Sequence, residues 1–242
     1  MGHPPSIRQD RVGHVAGEHI GAARLPLSAA ALAGGKSRRM GTDKAFLPLV
    51  DGGEPMMALV LARLRTIADD VMIVANDHER YEPFGARVVP DLHTEIGALG
   101  GIHAAVCHAA HEHCLVVACD MPFLNLGFLE RMASEPRDYD VLVPVVPGES
   151  RQGREGSIMQ TLHAIYSTGC LQAIEARIRA GDRRAISFLD DVRVRELNVT
   201  EIADWDVTLR SFFNVNTPES LATAAAMAGG EELFSARARS TR

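Results

Sequence analysis

The stretch PLSAAALAGGKSRRMGTDKA, residues 26–45, joins a short apolar run to a loop rich in glycine and basic side chains. The apolar run, residues 26–33, predicts a buried strand. A loop between a strand and a helix presents backbone N–H groups to anions, and glycine lets an anion approach the backbone closely. The basic side chains are those of Lys36, Arg38, Arg39 and Lys44. The stretch therefore predicts either a loop that binds a polyphosphate or an exposed basic turn.

Two common phosphate-binding motifs do not fit this loop. The P-loop pattern GxxxxGK[ST] would end at residues 35–37, but its first glycine would fall on Ala30, inside the apolar run. The dinucleotide-binding pattern GxGxxG fails because Gly34 is followed directly by Gly35 and Lys36.

Composition narrows the class of protein. The chain has 242 residues, which suits one domain with short extensions. Its 31 acidic and 25 basic residues, and its aromatic content of 5%, argue against binding to nucleic acid or to a membrane surface. No apolar stretch is long enough to span a bilayer. Four cysteines without a CxxC pair, and an N-terminus without an apolar signal core, lead us to expect a cytoplasmic protein with free thiols.

Apolar runs alternate with helical patterns along residues 25–228, which we expect to form the folded domain. Residues 1–24 are expected to be a disordered extension, and residues 229–242 a flexible tail. The predicted strands are 26–33, 70–75, 86–89, 114–119, 140–146, 161–166, 192–197 and 212–215, with a polar loop at 147–157. The predicted helices are 55–68, 101–113, 171–180, 185–190 and 218–228. This alternation predicts an α/β fold with three αβα layers around a mostly parallel, Rossmann-like sheet.

Polar residues follow three of these strands. Asn76 follows the strand 70–75, Asp91 follows 86–89 by one residue, and Asp120 follows 114–119. In parallel sheets ligands bind at the carboxyl ends of the strands, although Asp and Asn also end strands simply as turn formers.

The loop pattern LAGGxSxRMGxDKAxLxL, which begins at Leu32, resembles the signature of nucleotidyltransferases related to molybdenum cofactor guanylyltransferase. Further matches follow in the same order: GALGGI at 97–102, CDMPFL at 119–124, GDRR at 181–184 with FL at 188–189, and FNVNTPE at 213–219. The resemblance extends from residue 27 to residue 228. Two departures are Ala98, where the family usually has proline, and Ser220, where it usually has an acid.

The resemblance implies a nucleotidyltransferase fold and the transfer of GMP from GTP to the terminal phosphate of molybdopterin, with release of pyrophosphate. It implies Mg²⁺ as the cofactor and Asp120 as its ligand. Lys44 would contact the triphosphate, and Arg39 would stabilise charge at the α-phosphate. Asp43 would either orient Lys44 or cap a helix.

The remaining site residues also come from the resemblance. The nucleotide pocket would use Leu32, Ala33, Gly34, Gly35, Asn76 and Asp91. Asn214 and Asn216 would lie near the metal or the pterin phosphate, or would cap the following helix. Arg183 and Arg184 would face the acceptor phosphate or lie on the surface. Transient contacts are expected with proteins that supply molybdopterin and that mature molybdoenzymes.

Other functions stay open at this point. LAGG together with GALGGI favours a guanine-type enzyme, and the nearest alternative is a molybdopterin cytidylyltransferase that uses CTP. A sugar-1-phosphate nucleotidyltransferase is more distant. A non-catalytic module that binds nucleotide or pterin would not need both Lys44 and Asp120.

One cluster resembles a site for a soft metal. His103, Cys107 and His111 are spaced i, i+4 and i+8 in the predicted helix 101–113. The apolar stripe of that helix passes through Ile102 and Val106, so we expect these three side chains to face solvent and to bind no metal.

Overall fold

A computed structural model gives the fold of residues 25–33, 43–93, 95–149 and 155–240. The predicted extension, residues 1–24, lies outside these ranges. Within them, eight strands form one sheet. The strands are β1 (Ser28–Leu32), β2 (Asp70–Val74), β3 (Arg87–Val89), β4 (His113–Ala118), β5 (Val141–Glu149), β6 (Glu155–Met159), β7 (His163–Ser167) and β8 (Val194–Leu197).

The sheet is mostly parallel, as the sequence predicts. Its order is β3-β2-β1-β4-β7-β5-β6, and β8 pairs with β5. Strand β1 runs parallel to β2 and β4, and β2 runs parallel to β3. Strand β7 is antiparallel to both β4 and β5, so β5 and its parallel neighbour β8 point the same way as β1. Six of the eight described strands therefore share one direction.

Helices cover both faces of this sheet. The α-helices of the described ranges are α1 (Met56–Ile67), α2 (His78–Tyr81), α3 (Ala98–His108), α4 (Leu126–Ala133), α5 (Leu171–Arg179), α6 (Val199–Ala203) and α7 (Pro218–Ser240). Side chains of α1 and α4 pack against one face in one core, and those of α3 and α5 form a second core on the other face. This is the expected three-layer αβα architecture.

Strand β1 shows why the centre of the sheet can be covered by helices on both faces. All five of its residues, SAAAL, are buried. Ala29 and Ala31 join the core under α1 and α4, whereas Ala30 and Leu32 join the core under α3 and α5. Side chains alternate between the two faces of a strand, and small ones let helices pack closely on both sides.

Several elements differ from the sequence prediction. The expected strand 212–215 is absent from the described residues, because a 3-10 helix at Arg210–Phe212 replaces its start; Asp206 Oδ2 accepts a hydrogen bond from the Ser211 N–H (2.9 Å) and stabilises that turn. The expected helix 185–190 is replaced by a 3-10 helix at Leu189–Asp191, which overlaps only its last two residues. Both ends of the expected polar loop 147–157 are strand, since residues 147–149 belong to β5 and 155–157 to β6, which pairs with it in antiparallel register; residues 150–154 lie outside the described ranges. Helix α7 continues to Ser240, past the expected end at residue 228.

The end of helix α3 was placed too late by the sequence prediction. The helix ends at His108, not at residue 113. Two side chains of the sheet capture the backbone beyond it: the Ala110 N–H donates to Asp70 Oδ2 (2.9 Å), and the His111 N–H donates to Ser28 Oγ (3.1 Å). These hydrogen bonds satisfy groups that a longer helix would pair internally.

The prediction that His103, Cys107 and His111 all face solvent was wrong for His103. Cys107 is exposed, but His103 is buried between α3 and α5, with its Nε2 3.6 Å from Glu175 Oε1. The sheet and α5 together cover almost the whole of α3, so its polar positions are not all free. His111 lies beyond the helix, with its Nε2 2.8 Å from Asp69 Oδ1. Across the described ranges, no three His, Cys, Asp or Glu side chains are grouped to hold a metal ion.

None of the helices in the described part of the chain is long and apolar enough to span a membrane.

Candidate active site

The carboxyl ends of β1, β2, β3 and β4 open into one cleft. Its volume is about 1070 Å³. Because these four strands are parallel, residues that follow them meet at the same edge of the sheet. The sequence-predicted residues that line the cleft are Leu32, Ala33, Lys44, Asn76, Asp91, Asp120, Arg183, Asn214 and Asn216.

Lys44 reaches the centre of this cleft from a 3-10 helix at Lys44–Phe46. Its Nζ atom donates a hydrogen bond to Asn216 Oδ1 at 2.6 Å and lies 3.6 Å from Asp120 Oδ2. Asp43 caps the start of the helix, where its Oδ1 accepts from the Ala45 N–H (3.2 Å). Of the two roles left open for Asp43, the capping role is therefore confirmed. The ammonium group is placed for a polyanion that enters the cleft.

Asp120 follows β4 and is fixed through its backbone. Its carbonyl oxygen accepts a hydrogen bond from the Val215 N–H at 2.9 Å. Burial raises the pKa of the carboxyl group, and Lys44 opposes that shift. The Oδ1 atom is buried and has no hydrogen-bond partner among the described residues. A buried carboxylate oxygen without a partner is costly unless a ligand or a cation satisfies it.

The chemistry of this edge fits Mg²⁺. The ion prefers oxygen ligands and usually takes one or two protein carboxylates together with substrate phosphates and water. Asp120 supplies one carboxylate with an unsatisfied oxygen, and the Asn216 carboxamide lies across Lys44 from it. A complete protein cage is not needed for such a site.

Another part of the cleft lining is a turn built around Asp91. The Asn76 Oδ1 atom accepts from the Asp91 N–H (2.9 Å), and Asp91 Oδ1 accepts from the His93 N–H (2.8 Å). The first contact joins the ends of β2 and β3 and makes Asn76 a support for Asp91. The second carboxylate oxygen of Asp91, Oδ2, has no hydrogen-bond partner within the described part of the chain.

Two glycines of α3 allow this close packing. A Cβ on Gly100 would lie 2.9 Å from the His93 carbonyl oxygen and 3.2 Å from Asp91 Oδ1. A Cβ on Gly101 would lie 2.9 Å from the Leu32 Cδ1 atom. Only glycine lets the helix approach both the Asp91 turn and the end of β1.

Comparisons with known proteins identify the family of this chain. A family model described as the MobA-like NTP transferase domain matches residues 29–196. A protein of Pelotomaculum thermopropionicum named "Probable molybdenum cofactor guanylyltransferase" is 44% identical over 200 residues, which cover 81% of this chain and 91% of that protein. The chain belongs to the molybdenum cofactor guanylyltransferase family. It is a nucleotidyltransferase.

A further relative in the molybdenum cofactor guanylyltransferase family and two solved structures are also similar to this chain. The "Molybdenum cofactor guanylyltransferase" of Desulfosudis oleivorans is 35% identical over 196 residues, covering 81% of this chain and 92% of that protein. The crystal structure of molybdopterin-guanine dinucleotide biosynthesis protein A from Archaeoglobus fulgidus matches with a TM-score of 0.69 and 29% identity, over 84% of this chain and 99% of that one. The 2-C-methyl-D-erythritol 4-phosphate cytidylyltransferase of Thermus thermophilus, at 18% identity and a TM-score of 0.62, shares the fold over 85% of this chain and 98% of that one.

The backbone at the end of β1 is largely occupied by the sheet. The Leu32 carbonyl oxygen accepts from the Cys119 N–H (3.2 Å), and the Ala33 N–H donates to the Val74 carbonyl oxygen (3.0 Å). The family's loop continues through Gly34, Gly35 and Arg39, and these three predicted residues lie outside the described ranges.

The two asparagines of the family's NxN motif differ in their contacts. Asn216 accepts from Lys44, and its backbone N–H donates to Ser220 Oγ (2.8 Å). Asn214 Nδ2 donates to the Phe212 carbonyl oxygen (3.0 Å), which is turn chemistry. The start of α7 is capped by Thr217, whose Oγ1 accepts from the Ser220 N–H (3.2 Å). Neither asparagine caps that helix through its own side chain.

The two adjacent arginines of the family's GDRR motif have different environments. Arg183 lines the cleft. The guanidinium of Arg184 lies 2.7 Å from Asp182 Oδ2, and both arginines are exposed. Of the two arginines, only Arg183 is therefore part of the cleft lining.

Sequence reasoning missed Arg80 and Tyr81, which line the cleft beside Lys44. The Tyr81 hydroxyl donates to Asp43 Oδ2 at 2.7 Å, and the Arg80 guanidinium lies 3.5 Å from the same oxygen. The available signal was an aromatic residue in a short polar segment soon after Asn76, which is uncommon in an exposed turn.

Proposed function

We propose that this chain transfers GMP from GTP to the terminal phosphate of molybdopterin and releases pyrophosphate. The observation that carries the proposal is the pair formed by Lys44 and the unsatisfied Asp120 at one edge of the sheet. The names of the relatives support the same reaction. No side-chain nucleophile is required, because the acceptor phosphate is already an anion at neutral pH.

The proposed step joins two phosphates. An oxygen of the molybdopterin phosphate attacks the α-phosphorus of GTP and forms the new P–O bond. The bond from that phosphorus to the bridging oxygen of the β-phosphate breaks, and pyrophosphate leaves with the electron pair. Negative charge gathers at the phosphates, so cations placed beforehand lower the barrier.

Lys44 and Asp120 have different electrostatic roles in this step. The Lys44 ammonium exchanges its contact with Asn216 for triphosphate oxygens and offsets their charge. Asp120 would hold Mg²⁺ through its free Oδ1, and the bound ion would neutralise phosphate charge and align the phosphates. The predicted contribution of Arg39 at the α-phosphate belongs to this proposal.

The nucleoside lies on the Asp91 side of the cleft in this proposal. The Oδ2 atom of Asp91 accepts from donor groups of guanine or ribose, and Asn76 holds that turn in place. Leu32 and Ala33 form the wall at the end of β1, where Gly101 packs against Leu32. The acceptor phosphate approaches from the side of Arg183 and Asn214, which also line the cleft.

We also propose that the protein works in the cytoplasm. All four cysteines, Cys107, Cys114, Cys119 and Cys170, are free thiols. Thiols persist in a reducing compartment. Direct transfer of the product to proteins that mature molybdoenzymes fits the same location, and proteins that supply molybdopterin are the corresponding upstream partners.

The reaction is tested with purified protein, Mg²⁺ and molybdopterin, with and without bound molybdenum. GTP, CTP, ATP and UTP are supplied separately, and pyrophosphate and the pterin dinucleotide are quantified. Product with GTP alone is expected. Product with CTP would identify a cytidylyltransferase, and nucleotide binding without any product would favour a non-catalytic binding module.

A further inference from the structure

Asp43 and Lys44 are neighbours of opposite charge whose side chains bind different partners. The Asp43 carboxylate accepts from the Tyr81 hydroxyl (2.7 Å) and from the Ala45 N–H (3.2 Å). The Lys44 ammonium contacts Asn216 and Asp120 instead. The two side chains are adjacent in sequence and opposite in charge, but their contacts with other residues keep the carboxylate and the ammonium apart.

Tyr81 has a fixed position from which to hold Asp43. It ends helix α2, and only 4% of its surface is exposed. Its ring centroid lies 5.2 Å from that of Phe46 and 6.2 Å from that of Phe84. Phe46 belongs to the same 3-10 helix as Lys44, so the aromatic packing sets the distance between Tyr81 and that helix. Burial and the nearby carboxylate of Asp43 raise the pKa of Tyr81, so its hydroxyl stays a donor.

Arg80 supports the same arrangement. Its guanidinium lies 3.5 Å from Asp43 Oδ2 and 4.7 Å from the centre of the Phe46 ring. The Asp43 carboxylate thus contacts a hydroxyl, a backbone amide and a guanidinium, and none of these groups belongs to Lys44. Without the Tyr81 hydroxyl, one oxygen of Asp43 would lose its shortest contact and could compete with phosphates for the ammonium.

We propose that Tyr81 is a positioning residue for the nucleotidyl transfer: its hydroxyl holds the Asp43 carboxylate away from Lys44, so that the ammonium serves the triphosphate. The inference rests on the proposed function, because it assumes that Lys44 contacts the nucleotide. It adds a specific role for a residue that bears no charge and acts through Asp43.

The variant Tyr81→Phe tests this role because it keeps the ring and removes only the hydroxyl. Affinities for GTP and GMP are measured by calorimetry in the presence of Mg²⁺. We expect the Kd for GTP to rise about tenfold, the effect of one misdirected charged contact, and the Kd for GMP to change less than about twofold. Tyr139→Phe is the matched control, since Tyr139 is equally buried but lies outside the cleft lining. Both variants are compared by melting temperature.

Repeating the Tyr81→Phe substitution in an Asp43→Asn variant distinguishes a positioning role of the hydroxyl from a purely structural one. Asp43→Asn removes the charge that competes for Lys44 but keeps an oxygen that can cap the Ala45 N–H. In this background, Tyr81→Phe should change the Kd for GTP by less than about twofold, because no carboxylate remains to be held away. A purely structural role of the hydroxyl would give the same loss in both backgrounds.

The outcomes distinguish this inference from the proposed function. If the unmodified chain binds GTP and Tyr81→Phe binds it equally well, the positioning role is overturned and the proposed function stands. An equal loss for GTP and GMP, or an equal loss in the Asp43→Asn background, also overturns it. If the unmodified chain binds none of GTP, CTP, ATP and UTP, both proposals are overturned.

Discussion

The Nζ atom of Lys44 donates a 2.6 Å hydrogen bond to Oδ1 of Asn216, although 172 positions separate the two residues along the chain. Lys44 follows the first strand, whereas Asn216 precedes the last helix. Asp120, from the middle of the chain, lies 3.6 Å from the same ammonium. The site therefore depends on three distant segments that the parallel sheet brings to one edge.

Lys44→Met should weaken both nucleotide affinity and turnover. Methionine keeps an unbranched apolar stem but removes the charge that offsets the triphosphate. We expect kcat/KM for GTP to fall roughly 10- to 100-fold, as for the loss of one charged contact to phosphate. Steady-state release of pyrophosphate measures this. Arg179→Met, which removes an exposed cation from α5, is the control, and equal effects of the two variants would contradict a specific role for Lys44.

Asp120→Asn should remove nearly all turnover while leaving the fold intact. The substitution preserves size and removes the carboxylate that would hold Mg²⁺, so we expect kcat to fall by about 10²- to 10³-fold. The melting temperature should stay the same or rise, because burial disfavours the charged form of Asp120. Turnover at the wild-type rate in the presence of Mg²⁺ would mean that the metal site lies elsewhere. Asp51→Asn, at an exposed position, is the control.

Gly100→Ala should be more damaging than Gly101→Ala. The new Cβ at residue 100 would meet a backbone oxygen of His93, which cannot move without shifting the Asp91 turn, whereas at residue 101 it would meet the flexible end of Leu32. We expect Gly100→Ala to lower the free energy of unfolding by about 1–3 kcal/mol and to weaken GTP binding. Gly156→Ala, whose Cβ would meet nothing within 4 Å, should be neutral. Denaturant unfolding and calorimetry test the order, and the reverse order would contradict this packing.

Arg183→Met and Arg184→Met form a matched pair at adjacent positions. Arg183 lines the cleft, whereas Arg184 is bound to Asp182. We expect Arg183→Met to raise KM for molybdopterin about tenfold and to leave KM for GTP nearly unchanged, because it loses one cation at the acceptor phosphate. Arg184→Met should change neither constant. If the two substitutions exchange these effects, the acceptor approaches from a different side.

Asp70→Asn should destabilise the fold in a pH-dependent manner. Hydrogen bonds from Ser28, Arg87 and the Ala110 N–H outweigh the opposing effect of burial and lower the pKa of Asp70 below its ordinary value of 3.8. A lowered pKa in the folded state gives stability that is present above pH 3.8 and is lost as pH falls through the folded value.

We therefore expect Asp70→Asn to reduce the free energy of unfolding by about 1–3 kcal/mol at pH 7, with a smaller difference below pH 3.8. Urea unfolding at several pH values checks this. Asp190→Asn, at an exposed position, controls for the loss of one charge, and a difference independent of pH would exclude the ionised carboxylate as the cause.

The periodicity and composition of the sequence were sufficient to predict the sheet and the helices that cover both of its faces. Strand β1 is apolar apart from Ser28 and is buried at all five positions, which is typical of a strand covered on both faces. The boundary of α3 was not predictable in the same way, because Ser28 and Asp70, distant in sequence, capture the backbone after His108. Local patterns contain no information about such partners.

In the candidate site, too, some residues were predictable from the sequence, whereas others depend on contacts between distant positions. The family resemblance places Asp120 and Asp91 in the site, and both line the cleft shortly after the ends of their parallel strands. Tyr81 was missed because its role depends on a contact with Asp43 across 38 positions, and its spacing carries no sign of that. The burial of His103 was likewise decided by α5, which sequence periodicity within α3 does not reveal.

The contact between Lys44 and Asn216 also bears on how the protein is made. A ribosome delivers the chain from its N-terminus, so the lysine and β1 to β4 emerge long before residue 216. The sheet itself needs β8 (Val194–Leu197) beside β5, and the NxN segment emerges only after that strand. Asn216, the partner of Lys44, is therefore synthesised after all eight described strands. A nascent chain that already contains most of the core residues still lacks one residue of the proposed phosphate-binding site.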